Sequence, residues 1–516
     1  MIPVQDVSIT NIGGGGANEK LEAHLINDNQ SARPDSSTLP LKNVHTNTIG
    51  KLIKRKGYTV YSSGQIVVGG VTFNKVFGIL QYRKFSGTEY EIAIGSDGST
   101  KKIANISTIA SPADITGAVS ITEDTKIDHA TVADTLIITT EARDTPIKWT
   151  GTGNAAALGG SPPAGKYCEE FFNYAFIANT SSNPERVYWS ALFNPESWTA
   201  TDFKRLEDSC TGLARRGDDL FCFTRNSITV VKYTGDSLNP FTFDRVDSNV
   251  GCIANRTLKN LEGVLYWLAG DGHIYRMPSG SFKPERVTEA IPVTISELNG
   301  GALSIACAED HRELRQYWCC VPKSSSTVCD FIIVVDYLSN EIFMYDGFNV
   351  NCIANFVDSS GVIKTYFGDR TGRIFLTNNG NSDYPSGTQT AIDFWKYTKQ
   401  FNFGSPNKRK RLRRLKATVN NGGNYTSFVD TIGDFGATGG ESLTLSHNGG
   451  GKLLGSTWVL GTDSLGRKSD IPAETDSGLT SSYMQFKFHN NAYEQAVEVR
   501  DLTLSVQVYD QDKKIA

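Results

Sequence analysis

The chain has 516 residues and a formal net charge of −4, long enough for about three domains with large cores. Its mildly acidic balance excludes a protein whose whole surface grips a polyanion, so any nucleic-acid contact must be local. Forty-nine glycines, 10% aromatic residues and runs rich in Thr, Val, Ile and Tyr between turn clusters such as SDGS and NNGG favour strands over helices.

Residues 1–50 are polar and irregular, with four glycines at 13–16, and read as an extended N-terminal arm. The start, MIPVQDVSITNIGGGG, has neither the basic nor the apolar region of a signal sequence, and the densest aliphatic run is FIIVV at 331–335, so no membrane anchoring is expected. From residue 51 a repeat emerges. Pairs of apolar, β-rich runs joined by tight polar turns recur as EYEIAIGSDGSTKKIA, TLIITTEARDTPIKWTG, YAFIANTSSNPERVYWS, LFCFTRNSITVVKYTG, VLYWLAGDGHIYRM, FIIVVDYLSNEIFMYDG and KTYFGDRTGRIFLTNN. Their spacing averages roughly 45 residues, the length of a four-stranded propeller blade. One interval, before Phe331, is longer and reads as holding an extra hairpin, LSIACAEDHRELRQYWCCV.

Each unit is amphipathic at period two and has no internal partner for its apolar face, so neighbouring sheets must stack, and radial closure protects their edges. The expected fold is all-β: a six- or seven-bladed β-propeller over 51–385, then a β-sandwich or jelly-roll-like domain over 386–516. Closure of the ring brings the arm beside this last domain, which it could complete. Two β-sandwiches built from ordinary hairpins are the alternative. Trp149, Trp189, Trp267 and Trp318 are expected to pack between blades, and the nine cysteines, odd in number and without a C-x-x-C pair, to be reduced and buried.

Chemistry finds little support. SDGSTKK at Ser96 lacks the spacing and the Trp of a sialidase Asp-box and reads as a turn. Glu309, Asp310, His311, Arg312 and Glu313 read as a solvated turn, because the His has no second ligand at metal spacing. GTGNAA at Gly151 lacks the third glycine and the βαβ setting of a dinucleotide site. No catalytic residue, metal ligand or cofactor is expected.

The stretch KRKRLRRLK is the one strong charge anomaly. As a strand, it places Arg409, Arg411 and Arg413 on the face that continues into Leu415, Ala417 and Val419, and Lys408, Lys410, Leu412, Arg414 and Lys416 on the other. A helix after Ser405-Pro406 is the alternative. Three roles compete for these cations: a solvated, charge-protected strand edge, an assembly interface with acidic patches, or a lining that faces DNA.

GGSPPAGKYCEEFFNYAFIANTSSNPERVYWSALFNPESW, from Gly159 to Trp198, resembles a signature of tail nozzle or tail hub proteins (packaged-DNA stabilisation proteins) of short-tailed bacteriophages. GKLIKRKGY (from Gly50) resembles that family's early L-x-K-R-P-G segment, with Lys56 in place of proline, and FNFGSPNKRKRLRRL (from Phe401) resembles its post-propeller strand. The resemblance implies a non-enzymatic virion protein of the phage tail, assembled in the bacterial host cytoplasm as a ring, a homohexamer, below a portal and an adaptor protein. It would retain packaged DNA, pass it without sequence-specific binding, and dock tail fibres or spikes. The alternatives are a glycan- or receptor-binding propeller and a glycoside hydrolase.

Overall fold

The computed structural model describes residues 4–9, 12, 15–20, 25, 27–28, 30–46, 50–62, 64–246, 248–358, 360–385, 387–420, 425–434, 441–447 and 471–509. They form seven four-stranded antiparallel sheets, two larger ones and a small hairpin of Val67–Val68 with Val71–Thr72. The seven inner strands are Lys75–Arg83, Ile127–Val132, Gly165–Phe171, Gly212–Arg216, Lys259–Leu261, Cys307–His311 and Cys352–Val357. Each packs beside the next, and the last beside the first, which closes a seven-bladed propeller.

The blade count follows from two features of the chain. LSIACAEDHRELRQYWCCV is not an extra hairpin: Cys307–His311 and Gln316–Val321 are the first two strands of blade six, and Cys329–Asp336 and Ile342–Val350 are its last two. The hairpins of the other blades visible in the sequence are second and third strands, so blade six looked offset. The fourth strand of blade seven is Thr59–Val60, from the opposite end of the propeller sequence, in register with Phe375 and Leu376. This pairing fastens the ring.

Apolar residues at alternate strand positions meet between sheets. Trp149 packs edge-on to Tyr90 of blade one at 5.0 Å, Trp189 against Phe241 of blade four at 5.5 Å, and Trp267 of blade five against Phe223 of blade four at 5.3 Å. Trp318 differs, ringed by His311, Tyr345 and Phe348 of its own blade. All nine cysteines are buried free thiols. Among the described residues no helix is long and apolar enough to cross a membrane.

The two larger sheets combine both ends of the chain. One runs Val44–Thr46, Leu52–Lys54, Glu498–Tyr509, Arg409–Val419, Ile471–Asp476, with Val4–Ile9 also on Glu498–Tyr509 and Thr480–Ser481 on Arg409–Val419. The other runs Leu41–Lys42, Phe394–Tyr397, Met484–Asn490, Thr426–Gly433, Ser442–Ser446. The arm passes between the sheets at Asn43, whose φ of 56° lies in the left-handed region where Asn is among the few tolerated residues. One apolar core runs without a break from Phe343 and Tyr345 of blade six into Leu412, Leu415, Leu502 and Leu504.

Candidate functional site

The basic segment is a strand, not a helix, and it is interior to its sheet. Arg409–Val419 pairs with Glu498–Tyr509 on one side and with Thr480–Ser481 and Ile471–Asp476 on the other. The reading as a charge-protected edge is therefore corrected: both rows of backbone groups already have partners. The simple two-face alternation is corrected as well. A register shift between Leu412 and Arg414 leaves Arg413 as an extra residue, and such a bulge changes which parity faces inward. Lys410 and Leu412 point into the core before it, Leu415, Ala417 and Val419 after it, and Arg413 and Arg414 are both exposed.

The cations consequently divide by environment. Lys410 is fully buried, and its ammonium donates to the carbonyls of Ser405 and Ser482, the latter at 2.7 Å. Burial holds its pKa below the ordinary lysine value. Arg413 Nε donates to Gln507 Oε1 at 2.7 Å. Arg414 meets Asp476 at 3.1 Å and Lys416 meets Glu474 at 2.9 Å, both on the adjoining strand. These exposed pairs contribute roughly 0–1 kcal/mol each. The Nε of Arg411 is buried with no hydrogen-bond partner among the described residues, while Arg409 is exposed. Lys408 lies in the turn that leads in, where its N–H donates to Ser405 O at 3.1 Å. The acidic partners of Arg414 and Lys416 thus come from this same chain.

The propeller's bore is the second candidate. All seven inner strands line a cavity of about 380 Å³. Asn255 crosses it from the blade five side: its Nδ2 donates to Asp128 Oδ2 of blade two at 2.8 Å, and its Oδ1 accepts from Leu213 N of blade four at 3.0 Å. Asp128 also accepts from Cys168 N at 3.1 Å and His129 N at 3.0 Å. Arg256 donates to the carbonyls of Asn351 at 2.9 Å and Ile305 at 2.6 Å, which ties blade five to blades six and seven. Together these residues form a septum across the bore. A DNA duplex, whose major groove alone is about 12 Å wide, does not fit.

Burial dominates the electrostatics below the septum. It raises Asp128 to about 6 against three N–H donors and raises Glu169 to about 8 with Asp128 adding to it. Burial also works to lower Lys259, but Glu309 at 2.8 Å outweighs it and the lysine is raised. The sequence reading of Glu309, Asp310 and His311 as a solvated turn is corrected here. All three are buried on the inner strand of blade six, and the turn starts only at Arg312. Among the described residues no group of three or more His, Cys, Asp or Glu side chains is placed to hold a metal. Sequence reasoning missed the bore. The available signal was charge inside inner-strand runs, as in KIDHA, KYCEE and AEDH.

The three segments that resemble tail proteins fall at structural joints. In the first, Lys54 donates to Asn490 Oδ1 at 3.0 Å, Arg55 reaches Asp383 at 2.7 Å, and Tyr58 sits among Phe348, Phe367 and Phe375. A Cβ on Gly57 would lie 1.8 Å from Ser382 O, so only glycine fits. In the second, Glu196 accepts from Lys148 at 2.6 Å and from Gly159 N at 2.8 Å, which locks blade three to blade two. In the third, Phe401 exchanges backbone hydrogen bonds with Met484 at 2.8 and 3.1 Å before the chain enters the basic strand.

No protein-family profile and no curated protein matches this chain. Among solved structures it is similar to the N-terminal domain of Nup159, with 11% identity over 65% of this chain and 97% of that one and a TM-score of 0.39. It is also similar to YCF48 from Cyanidioschyzon merolae, with 12% identity over 59% and 96% and a TM-score of 0.39. Hsv2 of Kluyveromyces lactis gives 11% identity over 46% and 69% and a TM-score of 0.30. None of these descriptions names a tail protein. The class of the protein is that of a β-propeller module, and the strand pairing defines it.

Proposed function

We propose that this propeller module is a structural, non-enzymatic tail protein of a short-tailed bacteriophage. About six copies would ring the tail channel beneath a portal and adaptor, retain the packaged DNA, and carry fibres or spikes on the outside. One observation supports the reading most: the segments that resemble the tail nozzle family fall at joints, two of them where arm, propeller and sandwich meet and one between blades two and three. A rigid block with free loops suits a ring component. Because the septum blocks the bore, the DNA path runs between protomers. Arg409 and Arg413, exposed on the sandwich, are assigned to contacts with acidic surfaces of a neighbouring copy or the adaptor. The test is the protein content of purified particles: the chain is expected in the virion in stoichiometric amounts, and its absence there would overturn the proposal.

A second reading has an observation of its own. On the face formed by the hairpins between first and second strands, Phe85 is 79% exposed. It borders a groove of about 540 Å³ shared with Arg83, Lys84, Glu170, Phe172 and Arg215. Exposed aromatics with polar neighbours suit a glycan- or receptor-binding propeller. Glycan binding by the isolated chain, abolished by Phe85→Ala, would favour it.

A further inference from the structure

Beside the main cavity, and sharing Asp128, Asn255 and Arg256 with it, lies a second, partly open pocket of about 250 Å³, here called the vestibule. Its walls hold Lys126, Glu141, Lys166, Tyr167, Thr211 and Arg256. Hydrogen bonding there is lopsided toward donors. Glu141 serves both lysines, at 3.3 Å from Lys126 and 2.5 Å from Lys166, and Lys126 also donates to Ser304 O at 3.2 Å.

An ammonium has three hydrogens to donate, and the described protein groups take one from Lys166 and two from Lys126, whose side chains stay 18% and 21% exposed toward the pocket. Thr211 Oγ1 and Arg256 Nε are buried with no hydrogen-bond partner among the described residues. Tyr167 is half-buried, and its hydroxyl makes no hydrogen bond among the described residues. Buried polar atoms without partners are uncommon and call for an explanation such as a bound ion. The charges agree: three cations, Lys126, Lys166 and Arg256, face two carboxylates, Glu141 and Asp128. Burial keeps Lys126 below its ordinary pKa even with Glu141 beside it.

We propose that this vestibule binds a phosphate group, free or as the monoester of a small molecule, with Lys126 and Lys166 as its charge partners and Tyr167, Thr211 and Arg256 as further donors. A carboxylate offers about four acceptor positions in one plane. The three terminal oxygens of a phosphate match the larger, three-dimensional set of surplus donors more fully. A pocket of about 250 Å³ suits a small molecule, and the proposal does not rest on a role in a phage tail.

The test is calorimetric titration of the full chain with inorganic phosphate, with glycerol phosphate and with acetate. One site per chain is expected, with acetate much weaker than either phosphate. Lys166→Gln should weaken binding about tenfold or more, as loss of a charge-assisted contact does. Tyr167→Phe should weaken it several-fold, and the surface variant Lys364→Gln should leave it unchanged. Preference for glycerol phosphate over free phosphate identifies a carried group, and the reverse identifies the free ion. Should Lys166→Gln fail to fold by circular dichroism, Tyr167→Phe, which removes one hydroxyl, decides. No binding of either phosphate, equal binding of acetate, or full affinity in the folded variants would overturn the proposal.

Discussion

Arg55 and Asp383 form a two-point ion pair, with Nη1 to Oδ1 at 2.8 Å and Nη2 to Oδ2 at 2.7 Å, and both side chains are almost wholly buried. The arginine arrives with the arm and the aspartate follows the last blade, so the pair spans the joint between propeller and sandwich. Asn43 accepts from Arg55 Nε at 2.8 Å and donates to Asp346 at 2.9 Å, which extends the bond network into blade six. Arg55→Ala leaves a buried carboxylate without its partner, and a loss of about 3–5 kcal/mol is expected from denaturant unfolding. Adding Asp383→Ala should cost less than the two single changes summed. A loss below about 1 kcal/mol for Arg55→Ala would contradict the weld.

Lys396 sets a pH dependence. It is enclosed on the strand Phe394–Tyr397, and burial lowers its pKa from 10.5 to about 7, against the pull of Glu341. Between those values the unfolded chain holds the proton and the folded chain does not, so this residue makes stability rise with pH across that window. Below about 7 the cost of charging the buried lysine is present in full. Lys396→Met should remove the rise, so its stability advantage over the parent is largest near neutrality and shrinks in alkali. Urea midpoints measured through this range check it, and parallel profiles would count against it.

The basic strand carries less free charge than its sequence implies. Lys410 is interior, and Arg414 and Lys416 already face Asp476 and Glu474. The isolated protein is therefore expected to bind duplex DNA no more tightly than about 10⁻⁵ M at physiological salt in gel shifts. Arg409→Glu with Arg413→Glu, both at exposed positions, should leave folding intact and impair incorporation into particles. Sub-micromolar binding with a steep salt slope, lost in that double variant while assembly survives, would make the strand a nucleic-acid site.

The propeller architecture was legible because its determinants are local. Period-two runs and Asp turns repeat in each hairpin, as where Asp97 accepts from Ser99 and Thr100 N–H at 2.9 and 2.7 Å. What escaped were features set by distant partners. The closing strand Thr59–Val60 is two residues long and has no pattern of its own. The bulge at Arg413 depends on the register of Glu498–Tyr509, so alternation within KRKRLRRLK could not reveal which cations turn inward. The polarity of Glu309–His311 imitates a turn, whereas distant partners hold Glu309 and His311, Lys259 on Glu309 and Thr377 on His311. The septum joins Asp128 to Asn255 across the ring, a contact between residues 127 positions apart.

A chain trimmed to residues 57–384 keeps all seven blades and the closing strand. It should retain its β-sheet circular dichroism, because stacked blades share their own core. It loses the arm and sandwich that cover Phe343 and Tyr345 of blade six, so its thermal midpoint should fall below that of the full chain. An unchanged midpoint would show that the continuous core adds nothing to the propeller.

Electron cryomicroscopy of a phage particle that contains this chain tests the central claim most directly. About six copies are expected around the tail axis, with bores blocked at the Asp128–Asn255 bridge and DNA passing between protomers. Density that places single copies away from the axis, or DNA outside the ring, would contradict it.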